Sequence, residues 1–375
     1  MTSLLPPSTG CSIRSDAWLP ASQTQGGEIG WLKKQYIGLI LKGAFVAGAR
    51  FSLDRTIGKG RQGVVYRSRR AGARRCLTEH AIKLFDPGNY PTAQAYRDDM
   101  NRISRQVADL HRNRSPNLVD CDSYEEIDGI GLVQMELIDG INLSQLLIQF
   151  RTLQNRPLTR NLSVKTLFNQ FEGRNCVQPG VVVYIMRQIL EGLENLHSEN
   201  YLHCDLKPSN IMLDNHGYVR VIDFGRATRV DDDKKRAFAT PVYASPEYHA
   251  DQRISIQSDI YSVGLVGLEL IRGCPLIAPL TLGNRKQLYE HKMRLYDRVE
   301  QLLPAYVACN RELVAILKRF VHPDPEKRFH NALVAESSSE GLAKVHRQLT
   351  RMDIDSDYRR DLAAFVRQIH RLDAD

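Results

Sequence analysis

Three residues between His203 and Asn210 are of types that can manage a phosphoryl group. In His203-Cys204-Asp205-Leu206-Lys207-Pro208-Ser209-Asn210, Asp205 is a carboxylate able to orient a hydroxyl and accept its proton. Lys207 can neutralise charge on a transferring γ-phosphoryl group, and Asn210 offers a side-chain oxygen to Mg²⁺. A plain polar loop does not call for these types at these offsets together with a second acidic motif downstream. Asp223 comes 18 residues after Asp205, in Val221-Ile222-Asp223-Phe224-Gly225. The apolar residues suit a strand, Asp223 projects toward a metal, and Gly225 lets the chain turn. Two oxygen ligands from separate loops suit Mg²⁺ held jointly with ATP phosphates.

A second group lies upstream. Gly58-Lys59-Gly60-Arg61-Gln62-Gly63-Val64-Val65-Tyr66 offers a backbone that can approach phosphate without a Cβ in the way. Dinucleotide-binding folds share this spacing, but there a helix follows directly; here the context is strand, turn, strand. Lys83, in Ala81-Ile82-Lys83, follows Gly63 by 20 residues. An ammonium on a central strand beneath such a loop can reach the α- and β-phosphates of ATP, although a lysine snorkelling at a strand end is also common.

The elements that must carry these groups change character along the chain. Residues 1–30 are rich in Ser, Pro, Gly and Thr and are expected to be disordered. The apolar run from Tyr36 to Ala49 is too short to span a bilayer and reads as a packed helix or strand leading into the fold. Val64–Tyr66, Ala81–Phe85 and Gly131–Leu137 read as strands. Met100, Ile103, Val107 and Leu110 recur at helical spacing within residues 93–112. Beyond residue 143 the chain turns helical: Val182, Ile185, Ile189, Leu193 and Leu196 share a face, and residues 260–271 are apolar nearly all round, as in a buried helix. Residues 151–178 read as an insertion or mobile connection. A β-rich part followed by an α-rich part implies an α+β fold with two lobes.

At these motifs the sequence resembles the eukaryotic-type (Hanks-type) serine/threonine protein kinase superfamily, over roughly residues 45–335. The glycine loop, the Ala-Ile-Lys strand, the catalytic loop and Asp-Phe-Gly occur in the family's order. Ser245-Pro246-Glu247 stands where the family has Ala-Pro-Glu, Asp259 opens the buried helix as the family's structural aspartate does, and Arg328 resembles the arginine that pairs with that glutamate. The resemblance implies a small antiparallel β-rich N-lobe with helix C and a larger α-helical C-lobe: residues 31–136 for the lead-in and N-lobe, 137–335 for the C-lobe, and 336–375 as a helical extension. Within 336–375, Leu362, Phe365, Val366 and Ile369 have helical spacing. The resemblance also implies ATP and Mg²⁺ as cofactors. Asp205, Lys207, Lys83 and Thr240 would be the catalytic set, and Asn210 and Asp223 the metal ligands. Gly58, Lys59, Gly60, Gly63, Val65, Ala81 and Lys83 would lie against nucleotide, with Met135 as gatekeeper, Glu136 to Ile138 as hinge and Asn142 near the ribose. Lys207, two residues after Asp205, resembles the serine/threonine class, so a protein substrate with a Ser or Thr acceptor is implied.

Two positions depart from the family. Cys204 stands where an arginine usually clamps a phosphorylated activation loop through charge-assisted bonds, a non-RD loop. Arg236, four residues before Thr240, cannot accept phosphate. Control by loop phosphorylation is therefore not expected, and Asp231 to Arg236 can order the loop only through exposed pairs worth about 0–1 kcal/mol each. Helix C lacks its glutamate: none occurs between Glu79 and Glu125. Asp99 fits as the partner of Lys83 by helical phase and Gln106 by distance. That gap leaves a pseudokinase scaffold as the alternative. A small-molecule kinase is disfavoured by Ser245-Pro246-Glu247, Thr240 and Arg328.

Composition narrows the setting. Hydrophobic content of 42% and charged content of 25% suit a globular chain, and a net charge of +8 suits anionic partners without choosing among them. Seven scattered cysteines without a CxxC argue against a zinc site or disulfide framework and fit a reducing, cytoplasmic compartment. There is no secretory signal pattern at Met1–Gly10 and no membrane span is expected. The basic stretch Arg67–Arg75 carries no stacking pattern, so nucleic-acid binding is not expected.

Overall fold

Short β-branched and apolar runs punctuated by glycine fill the chain between Ala44 and Glu136, and these pair into one sheet. The computed structural model describes residues 27–47, 49–112, 114–153, 167–231, 240–277, 285–352 and 357–374. Its six-stranded sheet is formed by β1 (Ala44–Ala47), β2 (Ala49–Gly60), β3 (Gly63–Ala71), β4 (Leu77–Phe85), β5 (Cys121–Ile127) and β6 (Ile130–Glu136), in the order β1-β2-β3-β4-β6-β5. Every neighbouring pair is antiparallel. β4 is central, and each residue from Ala81 to Phe85 is buried.

Two helices cover this sheet. Helix α1 (Gly27–Lys42) starts four residues before the boundary expected for the ordered chain and buries Leu32, Tyr36 and Leu39. Helix α2 (Ala93–Leu110) is capped by Thr92, whose hydroxyl accepts from Ala95 N at 3.1 Å, satisfying one orphan donor of the first turn. Its face of Tyr96, Met100, Ile103 and Val107 packs with Ile82, Leu84, Ile130 and Leu132. The same face turns Asp99 and Gln106 inward.

The second lobe is helical. Helix α3 (Leu143–Leu153) follows a short strand β7 (Gly140–Asn142), and α4 (Pro179–Ser198) follows the hairpin β8 (Phe168–Phe171) and β9 (Arg174–Val177). That hairpin lies within the segment expected to be irregular; residues 154–166 of that segment are outside the described residues. Further on come β10 (Tyr201–Leu202), β11 (Ile211–Asp214), β12 (Val219–Val221), β13 (Thr228–Arg229), α5 (Pro246–Asp251), α6 (Ile256–Arg272) and α7 (Arg285–Leu302). The remaining helices are α8 (Ala305–Ala308), α9 (Arg311–Phe320), α10 (Ala332–Ser337), α11 (Leu342–Met352) and α12 (Tyr358–Ala374). Helix α6 is buried all round from Ser258 to Ile271, so it forms the axis against which α4 and α9 pack. At Gly264 a Cβ would lie 2.6 Å from the Phe320 Cβ, so close packing of α6 on α9 requires glycine there. Leu362, Phe365, Val366 and Ile369 of α12 are buried in the same core. The C-terminal helix is thus part of the lobe.

The α+β architecture is therefore an antiparallel sheet with helix α2 on one side of a cleft and a helical lobe on the other. No described helix is long and apolar enough to cross a membrane.

Candidate active site

The floor of the cleft is built on the strand-flanked loop from His203 to Asn210. Asp259, at the start of α6, accepts from the backbone N–H groups of His203 (2.8 Å) and Cys204 (2.9 Å), with His197 Nε2 3.0 Å away. Burial alone would push this carboxyl up, but His197 and the loop hold it below the ordinary range. The loop is pinned with Cys204 at a left-handed φ of 65°, a conformation that carries a cost for a residue with a Cβ. Asp205 is consequently aimed into the cleft while only 4% exposed.

Asp205 is surrounded by donors. Lys207 Nζ donates to its Oδ2 at 2.7 Å, and Thr240 donates to its Oδ1 through both hydroxyl (2.5 Å) and backbone N–H (3.0 Å). Lys207 also reaches the Thr240 hydroxyl at 3.0 Å. Asn210 Nδ2 donates to the Asp205 carbonyl (2.9 Å) and to Oδ2 (3.3 Å), which leaves the Asn210 Oδ1 for a cation. The Arg226 guanidinium lies 3.5 Å from Asp205 Oδ1. A buried carboxylate needs such company, because an uncompensated one would neutralise instead.

Asp223 lies across from this group. The Ile222 N–H donates to the Asn210 carbonyl at 2.9 Å, so the two metal-ligand candidates are tied through adjacent backbone. Asp223 has φ 64° and pairs with Lys83 Nζ at 2.5 Å. Burial raises its pKa, but the Lys83 charge and hydrogen bond outweigh that and hold it at about 2. A carboxylate and a carboxamide oxygen on neighbouring loops are hard ligands of the kind Mg²⁺ takes.

The roof is the β2–β3 hairpin, with Gly60 opposite Gly63 and Gly58 opposite Val65. At Gly63 a Cβ would lie 1.8 Å from the Leu84 carbonyl oxygen, so glycine is required for the hairpin to press onto β4. Lys59 is exposed at the rim. Val65 pairs with Lys83 and Arg67 with Ala81 across β3 and β4. Met135 lines a cavity with Lys83, Gln106 and Phe224, and Ala81 is its partner on β4. Glu136 ends β6, where its N–H donates to Asp120 O at 3.0 Å, and Ile138 lies in the connection to the second lobe. The Asn142 Oδ1 accepts from Gln145 N at 2.8 Å while Gln145 Oε1 accepts from Asn142 N at 2.9 Å, a reciprocal cap on α3.

The structure corrects one expectation. Neither Asp99 nor Gln106 bonds Lys83, whose hydrogen bonds go to Asp223 and to Gln62 Oε1 at 3.0 Å. Asp99 accepts from Tyr90 OH at 2.7 Å and from Arg102 Nε at 2.9 Å. Gln106 Nε2 donates to the Phe224 carbonyl at 2.7 Å. The reason is competition: Arg102, one turn along the same helix, reaches the inward carboxylate first. Arg236 lies outside the described residues.

Away from the reacting groups, Glu247 and Arg328 form a forked pair at 2.9 and 2.8 Å, with Ser258 Oγ donating to Glu247 at 2.7 Å. Burial works against the Glu247 carboxylate, yet Arg328 holds its pKa below the ordinary value. This pair ties the segment after Thr240 to the far side of the lobe. Lys292, fully buried in α7, donates to the carbonyls of Val242 (2.6 Å) and Ala244, fixing the same segment from below.

Comparison with known proteins agrees with this fold. The family model described as "Protein kinase domain" matches residues 51–338. The chain belongs to the protein kinase domain family. Among curated relatives, the serine/threonine-protein kinase PknH of Mycobacterium tuberculosis is 27% identical over 289 residues, covering 75% of this chain and 40% of PknH. Serine/threonine-protein kinase PknD of the same species is 28% identical over 287 residues, covering 75% and 38%. The chain thus spans about 40% of the length of these relatives. In fold it is similar to the crystal structure of a mutant form of the M. tuberculosis PknI kinase domain, with a TM-score of 0.53 at 20% identity, covering 82% of this chain and 97% of that one.

Three residues of this kinase-fold cleft carry no recognisable sequence signal: Gln62, Arg102 and Arg226. Gln62 Nε2 donates to the Gly225 carbonyl at 2.7 Å. Arg102 and Gln62 take backbone carbonyls as partners, and every residue has one of those. Arg226 follows Gly225 directly, and its closeness to Asp205 depends on how the loop turns after Asp223.

Proposed function

We propose that this chain is a serine/threonine protein kinase that transfers the γ-phosphoryl group of ATP to Ser or Thr hydroxyls of proteins. The observation that carries this reading is the Asp205 carboxylate held between Lys207, Thr240 and Asn210. In this reading Asp205 orients the acceptor hydroxyl and takes its proton, while Lys207 offsets charge on the transferring group. Lys83 exchanges Asp223 for the α- and β-phosphates. Asn210 and Asp223 would hold Mg²⁺, which when bound neutralises charge on the phosphate oxygens. Positioning and charge stabilisation supply most of the rate in such a site.

Two observations support a protein acceptor over a small molecule: the Glu247–Arg328 pair and the Thr240 contacts to Asp205. Lys83, Asp205 and Asp223 are all in place, which weighs against a scaffold without activity. Cys204 supports control that does not pass through loop phosphorylation. It is 9% exposed, packs against Leu202 and Ile254, and has its thiol pKa raised by burial. It offers neither charge nor access to a phosphate. The six described cysteines are free.

Phosphate transfer from labelled ATP to protein acceptors, with aminoglycoside and choline acceptors beside them, tests the reading. Transfer to Ser and Thr that disappears in Asp205→Ala while ATP binding remains is the expected result. Transfer only to the small molecules, or none from the wild type, would overturn it.

A further inference from the structure

We propose that Arg102 is the positioning residue that couples helix α2 to the loop carrying Asp223, in place of a helix carboxylate paired with Lys83. The proposal rests on the reading of Asp223 as a metal ligand.

The geometry is that of a clamp. Arg102 Nη2 donates to the Gly225 carbonyl at 2.5 Å and Nη1 to the Ala227 carbonyl at 2.7 Å. One turn further along α2, Gln106 Nε2 takes the Phe224 carbonyl at 2.7 Å. Helix α2 therefore holds the backbone at 224, 225 and 227, immediately after Asp223. The guanidinium is itself oriented: its Nε donates to Asp99 Oδ1 at 2.9 Å, and Asp99 Oδ2 accepts from Tyr90 OH at 2.7 Å. Asp99 is 4% exposed, so its charge requires a partner, and Arg102 is that partner.

The chemistry explains why arginine stands there. A planar guanidinium presents donors in a fixed fork and can serve one carboxylate and two carbonyls at once. A lysine in this place has one nitrogen and no fixed directions. The carbonyls it holds follow Asp223, a residue with φ 64°, whose side-chain direction depends on how the following residues are tethered. If α2 moved away, the carbonyls of Phe224 and Ala227 would lose their α2 partners. Gly225 would keep only Gln62. Asp223 would be free to turn from the cleft. Inward placement of α2 and correct aim of Asp223 thus become one event without any bond from α2 to Lys83.

Arg102 touches neither reacting group, so its loss acts through the backbone it holds after Asp223, and Mg²⁺ dependence reads the part that passes through Asp223. The experiment uses the full chain with Arg102→Met, which keeps part of the apolar stem, Arg102→Lys, and Asp99→Asn as the milder variant. The readouts are nucleotide binding with and without Mg²⁺, kcat and KM for ATP, thermal midpoint, and amide exchange over residues 223–228. Arg102→Met should lower kcat by about 100-fold, the scale of a misplacement near 1 Å, and Arg102→Lys should not restore it. Mg²⁺-dependent nucleotide binding should weaken about tenfold or more while metal-free binding changes less than about twofold; a tenfold change is 1.4 kcal/mol. Exchange at 223–228 should rise, and Asp99→Asn should show the same pattern at smaller size. Equal loss of metal-free and Mg²⁺-dependent binding, a variant that does not fold when Asp99→Asn is indistinguishable from wild type, or unchanged Mg²⁺ dependence would each overturn the proposal. If the wild type transfers no phosphate, the kinase reading fails. The coupling is then still read by the metal difference and the exchange rates.

Discussion

The two sides of the cleft are held in different ways. On the floor, side chains hold side chains: Lys207, Thr240 and Asn210 on Asp205, and Glu247 on Arg328. On the roof and at α2, side chains hold backbone: Gln62 on Gly225, Gln106 on Phe224, Arg102 on Gly225 and Ala227. The first kind of contact needs one residue type at one offset. The second can be made by any long donor that arrives at the right carbonyl. The candidate reacting groups on the floor are held by contacts that each call for one residue type, whereas α2 is coupled through backbone carbonyls.

The strongest way to break this contrast is to find a floor residue that can be replaced. Asp205→Ala should lower phosphoryl transfer by about 10²–10⁴-fold, the usual share of a positioned acid–base group. Initial rates with labelled ATP measure it, and a loss under tenfold would place the chemistry elsewhere. Next in size is Arg328→Met. Breaking a buried pair by removing one partner costs about 3–5 kcal/mol, and the Arg328 side chain is fully buried against Glu247, so the denaturant midpoint should fall accordingly. The pH dependence has a definite sign. Glu247 is held below its ordinary value, so the pair's contribution is present above the unfolded carboxylate pKa and is lost as pH falls through the lowered one. In Arg328→Met that acid-side loss should largely vanish.

Much of the floor was legible in the sequence because its partners lie within one short motif or in a second motif at a set distance. Asp205, Lys207 and Asn210 are five residues apart at most, and Asp223 is joined to them through the backbone bond from Ile222 to Asn210. The inward face of α2 was legible from periodicity, and the buried helix from 260 to 271 from a run apolar nearly all round. The partner of Lys83 was not. Helical phase placed Asp99 inward correctly, but phase says nothing about which cation arrives there, and Arg102 sits only three residues away. Nor could periodicity reveal the start of α1 at Gly27, since its first turn, Gly27 to Gly30, holds two glycines among neighbours rich in polar residues. The β8–β9 hairpin was missed for a similar reason: four-residue strands pairing only with each other leave almost no alternation to read.

Cys204→Arg sharpens the comparison from the floor side. Restoring the family's residue would matter if the site had kept room for it. Instead Cys204 is nearly enclosed with Leu202 and Ile254, its Sγ 3.5 Å from the Leu202 carbonyl, and Arg102 already contributes positive charge nearby. Overpacking of this kind costs about 1–3 kcal/mol, and a second guanidinium brings like charge as well. The variant should unfold at lower denaturant and gain no dependence on loop phosphorylation. A stable Cys204→Arg protein activated by phosphorylation would mean that the floor is as open to exchange as α2.

The smallest effect is expected from Gln62→Ala, on the roof. Gln62 bridges Lys83 and the Gly225 carbonyl, so it occupies the side of Lys83 that phosphates need. Removing it orphans little: Gly225 keeps Arg102 and Lys83 keeps Asp223. A net hydrogen bond is worth about 0.5–1.5 kcal/mol. Nucleotide should therefore bind tighter by roughly two- to tenfold, the affinity equivalent of that range, with Mg²⁺ dependence unchanged. Titration of a fluorescent ATP analogue measures this. Weaker binding would mean that Gln62 stays with the nucleotide after Lys83 has changed partners, and the roof would then contain one side chain as specific as those on the floor.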